Sequence, residues 1–419
     1  MNTKPQGKIR WTICAMIFAA TTINLLDRQV LGILASDLQK KIGWNEIQYG
    51  YIVSAFQLSY AIGMAVVGRI LDSIGTRLGY TLTILLWSLA SMAHAFVGTP
   101  MGFGLARVFL GLSESGNFPA AIKATSEWFP AHERSIVAGI INAGSNMGVI
   151  VAALLVPFLT IQFGWQATFI MTGALGFLVV IWMWSYYRTP DQHASVSEEE
   201  RNYIQSEQQA VKPIAWRVLL NYKALWTFTI MKFLIDPVWY FYLYWLPKFL
   251  DKTFGIPLGK LSLPLMTVYL LSDAGSVIGG WFPTWLIQKK SYSIDSARKT
   301  AFLVCACAVL PMFFGSYFTN LWFAVVMVGI ALAAQQAWSS NAYTLVSDIF
   351  PSKAVATVVG FGSMAGALGG VLFSMIIGWV LEKTGSYTPL FAYAASAYMI
   401  AFTLLKLLIP KIERIELKL

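Results

Sequence analysis

Long apolar runs alternate with short polar stretches along nearly the whole chain. Twelve runs can be delimited, at about 11–34, 49–71, 80–97, 102–128, 135–160, 165–187, 223–246, 263–287, 300–318, 321–346, 355–380 and 389–408. A helix that crosses a bilayer needs about 20 predominantly apolar residues, which each run approaches or exceeds. The runs are continuous rather than alternating, so an outer-membrane barrel is excluded. The pattern predicts an all-α membrane protein of twelve transmembrane helices. It is interrupted once at length, by the polar segment 188–222, whose Ser197-Glu198-Glu199-Glu200 has the form of a helix start. Three regions follow: an N-terminal six-helix half (1–187), a linker carrying a short amphipathic helix (188–222), and a C-terminal six-helix half (223–419).

The two halves repeat. SEWFPAHERSIVAGIINAGSNMG, beginning at Ser126, aligns with SDIFPSKAVATVVGFGSMAGALG, beginning at Ser347. Both frames follow the fourth run of their half, and they pair Gly139 with Gly360 and Gly148 with Gly369. At this offset Arg107 falls opposite Val328, and Glu114 opposite Gln335. Two pseudo-symmetric halves are therefore expected, with ionic groups concentrated in the first and neutral polar or aromatic ones in the second.

Composition agrees with the pattern. Hydrophobic residues make up 57% of the chain and charged residues 12%, against about 25% charged in soluble domains; the mean hydropathy is +0.61. The net charge of +10 invites a nucleic-acid partner, but its distribution argues otherwise. Lys40, Lys41, Lys248, Lys252, Lys260 and Lys383 fall on one side of the membrane, Arg28, Arg107 and Lys232 fall within runs, and all other Lys and Arg fall on the opposite side. That asymmetry orients the chain with both termini in the cytoplasm. Cys14, Cys305 and Cys307 lie in apolar runs and form no disulfide framework. The basic start (Lys4, Lys8, Arg10) leads into a full-length run with no early cleavage site, so no cleavable signal is expected.

Few groups inside the runs can do chemistry. In the fourth, read as one helix over 102–128, Arg107 and Glu114 lie two turns apart on nearly one face, with Gly111 between them and Asn117 below. Charges in a bilayer interior are rarely left facing lipid, and by default mark function. A purely structural pair between Arg107 and Glu114 is the plainer alternative. Asp27 and Arg28 in the first run project about 100° apart and should meet different neighbours. Arg28 is the best group for gripping a carboxylate, because a guanidinium pairs with it as a fork. Lys232 brings a cation from the second half; Asp236 one turn on can neutralise it, and Pro237 loosens the helix there. Tyr51, Gln57, Tyr60, Asn142, Asn146, Gln335, Gln336, Trp338, Ser339 and Asn341 could meet hydroxyls of a bound ligand, although most polar residues in spans join helices. His94 reads as structural, and Asp273 has no assigned role. No nucleophile with a base, metal-ligand cluster or phosphate loop is found, so neither an enzyme nor a cofactor or metal is expected. A carboxyl such as Glu114, buried beside an arginine, can take or release a proton as that arginine changes partners.

The loop Gly68, Asp72, Gly75, Arg77 resembles the signature between the second and third helices of the major facilitator superfamily, with Thr76 where a basic residue is common and a degenerate counterpart near Gly279-Gly280. There the acid helps latch the halves on the cytoplasmic side, and the halves form parallel repeats about the membrane normal. Asp27-Arg28, Arg107 with Glu114 as RxxxGxxE, and SEWFP make the chain similar to the anion:cation symporter family. DPVWYFYLYWLPKFL from Asp236 looks most like its bacterial hexuronate transporters. The resemblance covers essentially the whole chain. It implies alternating-access symport of a small organic anion with protons, foremost a hexuronate, with an aldonate such as galactonate as the alternative. In that family the first-helix arginine binds substrate carboxylate, and the acids couple protons together with the fourth-helix arginine. A multi-pass monomer in a bacterial inner membrane is implied, with lipid and small anion as partners and no nucleic acid. The antiporter motif is lacking, since the fifth run shows Ala143-Gly144-Ser145-Asn146. A nontransporting nutrient sensor is less favoured, because only roughly ten residues follow the last run.

The orientation is tested by reporter fusions. Fusions within 188–222 and at both termini should report cytoplasmic exposure; periplasmic exposure at any of them contradicts the charge reading.

Overall fold

The computed structural model describes residues 8–130, 132–205 and 216–415; Lys4 and residues 206–215 of the expected linker lie outside them. In chain order the helices are α1 (Ile9–Ile42), α2 (Glu46–Ile74), α3 (Thr76–Ala93, extended by a 3-10 turn at His94–Phe96), α4 (Pro100–Glu114), α5 (Asn117–Trp128) and α6 (Arg134–Tyr186). Then come α7 (Glu198–Gln205), α8 (Trp216–Leu219), α9 (Lys223–Phe254), α10 (Ser262–Lys290), α11 (Ile294–Val309, followed by a 3-10 stretch at Leu310–Tyr317), α12 (Leu321–Ile349), α13 (Ser352–Thr384) and α14 (Thr388–Leu408).

Every apolar run lies on helix, and one of them differs from the simple expectation. The fifth and sixth runs are, as expected, two helices within the α6 range, parted at Gly164, whose φ of 85° no helix accommodates. The fourth run is two helices. α4 ends at Glu114 and α5 begins at Asn117: Gly116 is packed so tightly that a Cβ there would sit 2.3 Å from Thr83, and the Ser115 hydroxyl donates to the Leu112 carbonyl at 2.6 Å, a local bond that competes with the helix ladder. Among the described residues, eight helices are long and apolar enough to cross a membrane, or nine with α2, which bends by 44°. α9 misses that mark because Lys232, Asp236 and Pro237 lie along it.

The chain divides into two compact units, Met1–Ile42 with Ala55–Ala210, and Gly43–Ser54 with Val211–Leu419. In the first unit, α1 and α3 both pack along α6. Ile13, Met16, Ile17 and Ala20 of α1, Tyr80, Ile84 and Trp87 of α3, and Val137, Ile141, Val179 and Met183 of α6 form its core. The linker helix α7 belongs to this unit. Arg10 pairs with Glu133 at 3.1 Å and with Glu200 at 3.2 Å, and lies over the Tyr203 ring. His193 packs against Trp128 and Tyr186; burial, then the charge of Arg188, holds its pKa below the usual imidazole range.

In the second unit α9 packs on α13, and α10 on α12. The first turns of α2 are fastened here. Glu46 takes Lys248 and Lys252, its amide donates to Glu382 at 2.9 Å, and the Tyr49 hydroxyl donates to the Tyr244 carbonyl at 2.8 Å.

The internal repeat is carried by matching contacts. A Cβ on Gly148 of α6 would lie 2.3 Å from the Thr22 carbonyl of α1, and one on Gly369 of α13 would lie 2.5 Å from the Phe233 carbonyl of α9. Each is the small-residue seam that lets two membrane helices touch backbones. The aligned acids match too. Glu127 accepts from Thr76 at the start of α3, and Asp348 pairs with Arg298 near the start of α11 at 2.8 Å.

Candidate functional site

The first unit's charges meet where α1, α2, α3 and α4 approach one another. From Asn24 to Ala35, α1 is buried on every side, as befits a helix at the centre of a bundle rather than at its rim. Asp27 and Arg28 project to different neighbours. Asp27, 1% exposed, accepts a hydrogen bond from the Ser91 hydroxyl of α3 at 3.1 Å. Arg28 turns to α4, where its Nε and Nη2 reach the same oxygen of Glu114, Oε2, at 3.0 and 2.9 Å. The other oxygen, Oε1, is buried without a partner. The guanidinium faces two stacked rings of α2, with Phe56 at 5.0 Å and Tyr60 at 4.6 Å, an arrangement that favours a desolvated cation.

Arg107 does not take Glu114 as its ion partner. It is fully buried, directs Nη1 and Nη2 at the Arg28 carbonyl from 3.4 and 3.5 Å, and faces the Phe56 ring at 5.5 Å. It thus supports the backbone that carries Arg28, close enough to Glu114 for the two charges to interact. Asn117, across the break, accepts from the Tyr80 hydroxyl at 2.7 Å.

Gly111 explains how α2 delivers its rings. A Cβ there would lie 2.5 Å from the Phe56 carbonyl and 2.1 Å from the Ser59 hydroxyl. With hydrogen in that place, the backbones of α2 and α4 close on each other, and Phe56 and Tyr60 reach the guanidinium. The other polar positions of this unit are more dispersed: Gln57 is buried and Asn142 is exposed on α6. In the signature loop, Gly75 adopts a φ of 82° just before α3. Asp72 pairs with Lys123 of α5 at 3.1 Å, Arg77 donates to the Trp184 carbonyl, and Gly68 has open space around it.

The second unit holds its own constellation. The Lys232 ammonium pairs with Asp236 Oδ2 at 2.7 Å, donates to the Tyr343 hydroxyl at 3.3 Å and lies 5.0 Å from that ring's centroid. Trp338 is buried between Phe302, at 4.6 Å, and Tyr398, at 5.4 Å. The Oε1 of Gln335 and the hydroxyls of Tyr242 and Tyr398 are buried with no partner. Asn341 is engaged in packing: its amide donates to the Gly279 and Ala337 carbonyls and its oxygen accepts from Arg298. Tyr51 is 56% exposed. His94 is buried, with Nδ1 on the Ala90 carbonyl at 2.8 Å and its ring stacked on Phe169, a packing role.

Sequence reasoning missed several members. Asn24, one turn before Arg28, offers its oxygen to Nη2 at 3.5 Å and leaves its amide nitrogen unpartnered; the four-residue spacing was the available signal. Gln29 is buried with neither amide atom partnered. Tyr343 carries no pattern that would link it to Lys232, since 111 residues separate them.

Comparison with known proteins bears on this arrangement. A family model described as the Major Facilitator Superfamily matches residues 17–374. The chain is 31% identical over 393 residues to a hexuronate transporter of Escherichia coli (strain K12), covering 92% of this chain and 91% of that protein. It is 28% identical over 439 residues to a probable galactarate/D-glucarate transporter of the same organism, covering 100% and 97%. Among solved structures, a bacterial homologue of the human lysosomal transporter Spinster, in an inward-facing and occupied conformation, superposes with a TM-score of 0.73 at 18% identity over 96% of both chains. That likeness is one of fold.

The Gly111 contact gives a direct check. Gly111→Ala should separate α2 from α4, costing about 1–3 kcal/mol of stability as overpacking does, and should weaken ligand binding by withdrawing Phe56 and Tyr60. A variant with unchanged melting temperature and affinity would show that the close approach does not matter.

Proposed function

The chain belongs to the Major Facilitator Superfamily, a family of transporters rather than enzymes, and on that footing we propose that it carries a small sugar acid across the bacterial inner membrane together with a proton. Organic-anion transport is supported by relatives named for hexuronate, galacturonate, galactarate/glucarate and galactonate transport. A hexuronate is the favoured substrate, because the hexuronate transporter matches at higher identity than the galactarate/D-glucarate one, 31% against 28%.

The observation that carries the coupling is the seating of Arg28 on one oxygen of a fully buried Glu114 whose other oxygen has no partner. A substrate carboxylate that takes the guanidinium leaves Glu114 behind as an unpaired buried anion. Breaking such a pair costs about 3–5 kcal/mol, a cost removed if Glu114 accepts a proton as it gives up Arg28. Substrate and proton then arrive together and leave together. Arg107 steadies the Arg28 backbone through that exchange, and Asp27, on its separate bond to Ser91, is the second acid available to it. In the first unit Gln57, Tyr60 and Asn142 are the polar groups offered to hydroxyls; the second unit separately offers Gln335, Trp338 and the Lys232 cation.

Uptake of a panel of labelled sugar acids into proteoliposomes, with and without an inward proton gradient, tests this reading. A hexuronate should accumulate only with the gradient. Glu114→Gln, which mimics the protonated acid, should still bind and exchange substrate in counterflow yet fail to accumulate it. Accumulation by Glu114→Gln at the wild-type level removes that residue as the proton carrier, and a wild type that moves no sugar acid removes the substrate class.

A further inference from the structure

Asp273 is an acid of the membrane interior that the mechanism above does not use. It is the twelfth of the 29 residues of α10, roughly 16 Å from one end of the helix and 25 Å from the other. Its helix is seated on α12 by backbone contact. A Cβ on Gly275 would lie 2.3 Å from the Ala333 backbone, and one on Gly279 2.3 Å from that of Ala337. Asp273 lies about 160° round from Gly275, on the side of α10 turned away from that seam. Tyr269, Ser272 and Ser276 fall within about 100° of it on the same two turns. Among the described residues none of these four side chains has a hydrogen-bond partner, and the Ser272 hydroxyl is fully buried without one.

The elements packed on α10 bring Asp273 no cation. They are α11, α12 and the 3-10 turn Leu258–Lys260. On α11, Arg298 is taken by Asp348 of α12 at 2.8 Å and Lys299 by Asp295 at 2.7 Å, while Cys305 and Cys307 are free thiols. On α12, Tyr343 is turned to Lys232. Lys260 precedes α10, and Lys289 and Lys290 end it, several turns from its middle. No neighbouring charge acts on Asp273 among the described residues. A carboxylate at mid-membrane with nothing to pair is strongly unfavourable, so its counter-ion has to come from outside the protein. Resting on the proton-coupled transport reading above, we propose that Asp273 is a second proton-binding site, carried wholly by the second unit, which loads one proton independently of substrate and releases it once in each transport cycle. The carboxylate gains a proton from water on one side of the membrane and returns it to water on the other, with no other bond made or broken. The proton taken up with substrate at Glu114 is separate from it. Asp273 does not sustain net uptake alone, because in Glu114→Gln the empty carrier would have to return with Arg28 deprived of its partner.

The number of protons moved per galacturonate tests this, measured on the full-length protein in proteoliposomes. Substrate gradients are set against known pH gradients and membrane potentials, and the ratio is read from the condition of zero net flux. Asp273→Asn should move one proton fewer per substrate than the wild type, while counterflow, which needs no net proton movement, stays near the wild-type rate. With a gradient of one pH unit and no potential, its limiting accumulation should fall about tenfold, one factor of ten for each coupled proton lost. Asp273→Glu should keep the wild-type ratio. A merely structural Asp273 would lower uptake and counterflow together and leave the ratio unchanged. Should Asp273→Asn fail to fold, Asp273→Ser, which is equally unable to titrate, should lose the same proton. An unchanged ratio in the non-titrating variants overturns the proposal. So does wild-type uptake that falls when choline replaces sodium and becomes sodium-independent in Asp273→Asn, which would assign the site to a metal cation. A wild type that moves no sugar acid at all overturns the functional reading, and this proposal with it.

Discussion

A charge buried among apolar helices must be paired, and the first unit is arranged around that requirement at Arg28. Its guanidinium takes Glu114, lies against the rings of Phe56 and Tyr60, and stands on a backbone that Arg107 supports. Each partner arrives from a different helix, so the pair fixes how α1, α2 and α4 meet. It also makes the site responsive. An ion pair in a dry interior is costly to break by halves, so an incoming carboxylate and a proton are more easily accommodated together than separately.

The supporting structure is built from close backbone contact. Gly111 brings α2 onto α4, Gly148 brings α6 onto α1, and Gly369 brings α13 onto α9. Apolar surface offers helices little reason to associate inside a membrane, so such contacts, with interhelical polar bonds, take over the work that a hydrophobic core does in water. The break after Glu114 belongs to the same economy of space. Gly116 is pressed against Thr83, and the helix is interrupted directly after Glu114.

Much of this was legible in the sequence. The apolar runs located the helices, and the frames beginning at Ser126 and Ser347 located the repeat, because packing at Gly148 and Gly369 and side-chain contacts of Glu127 with Thr76 and of Asp348 with Arg298 impose the same residues twice. Asp27, Arg28, Arg107 and Glu114 stood out because ionisable groups in apolar runs are rare. What remained hidden was pairing. Spacing along one helix suggested Arg107 with Glu114, whereas the fold gives Glu114 to Arg28, 86 residues away. The division of α2 was equally invisible: its first turns are held in the second unit by Glu46, which alone in sequence reads as an ordinary acid at a helix start. Contacts between distant segments leave no local period, so buried partners such as Tyr343 and Asn24 emerge only from the fold.

The central claim is that Arg28 exchanges Glu114 for a substrate carboxylate while Glu114 takes a proton. Proton uptake on substrate binding, followed in weakly buffered detergent solution with a pH indicator, reads that exchange without requiring transport. The account predicts about one proton taken up for each hexuronate bound by the wild type, and none on binding to Glu114→Gln. Binding of hexuronate by the wild type with no change in bound protons would contradict it.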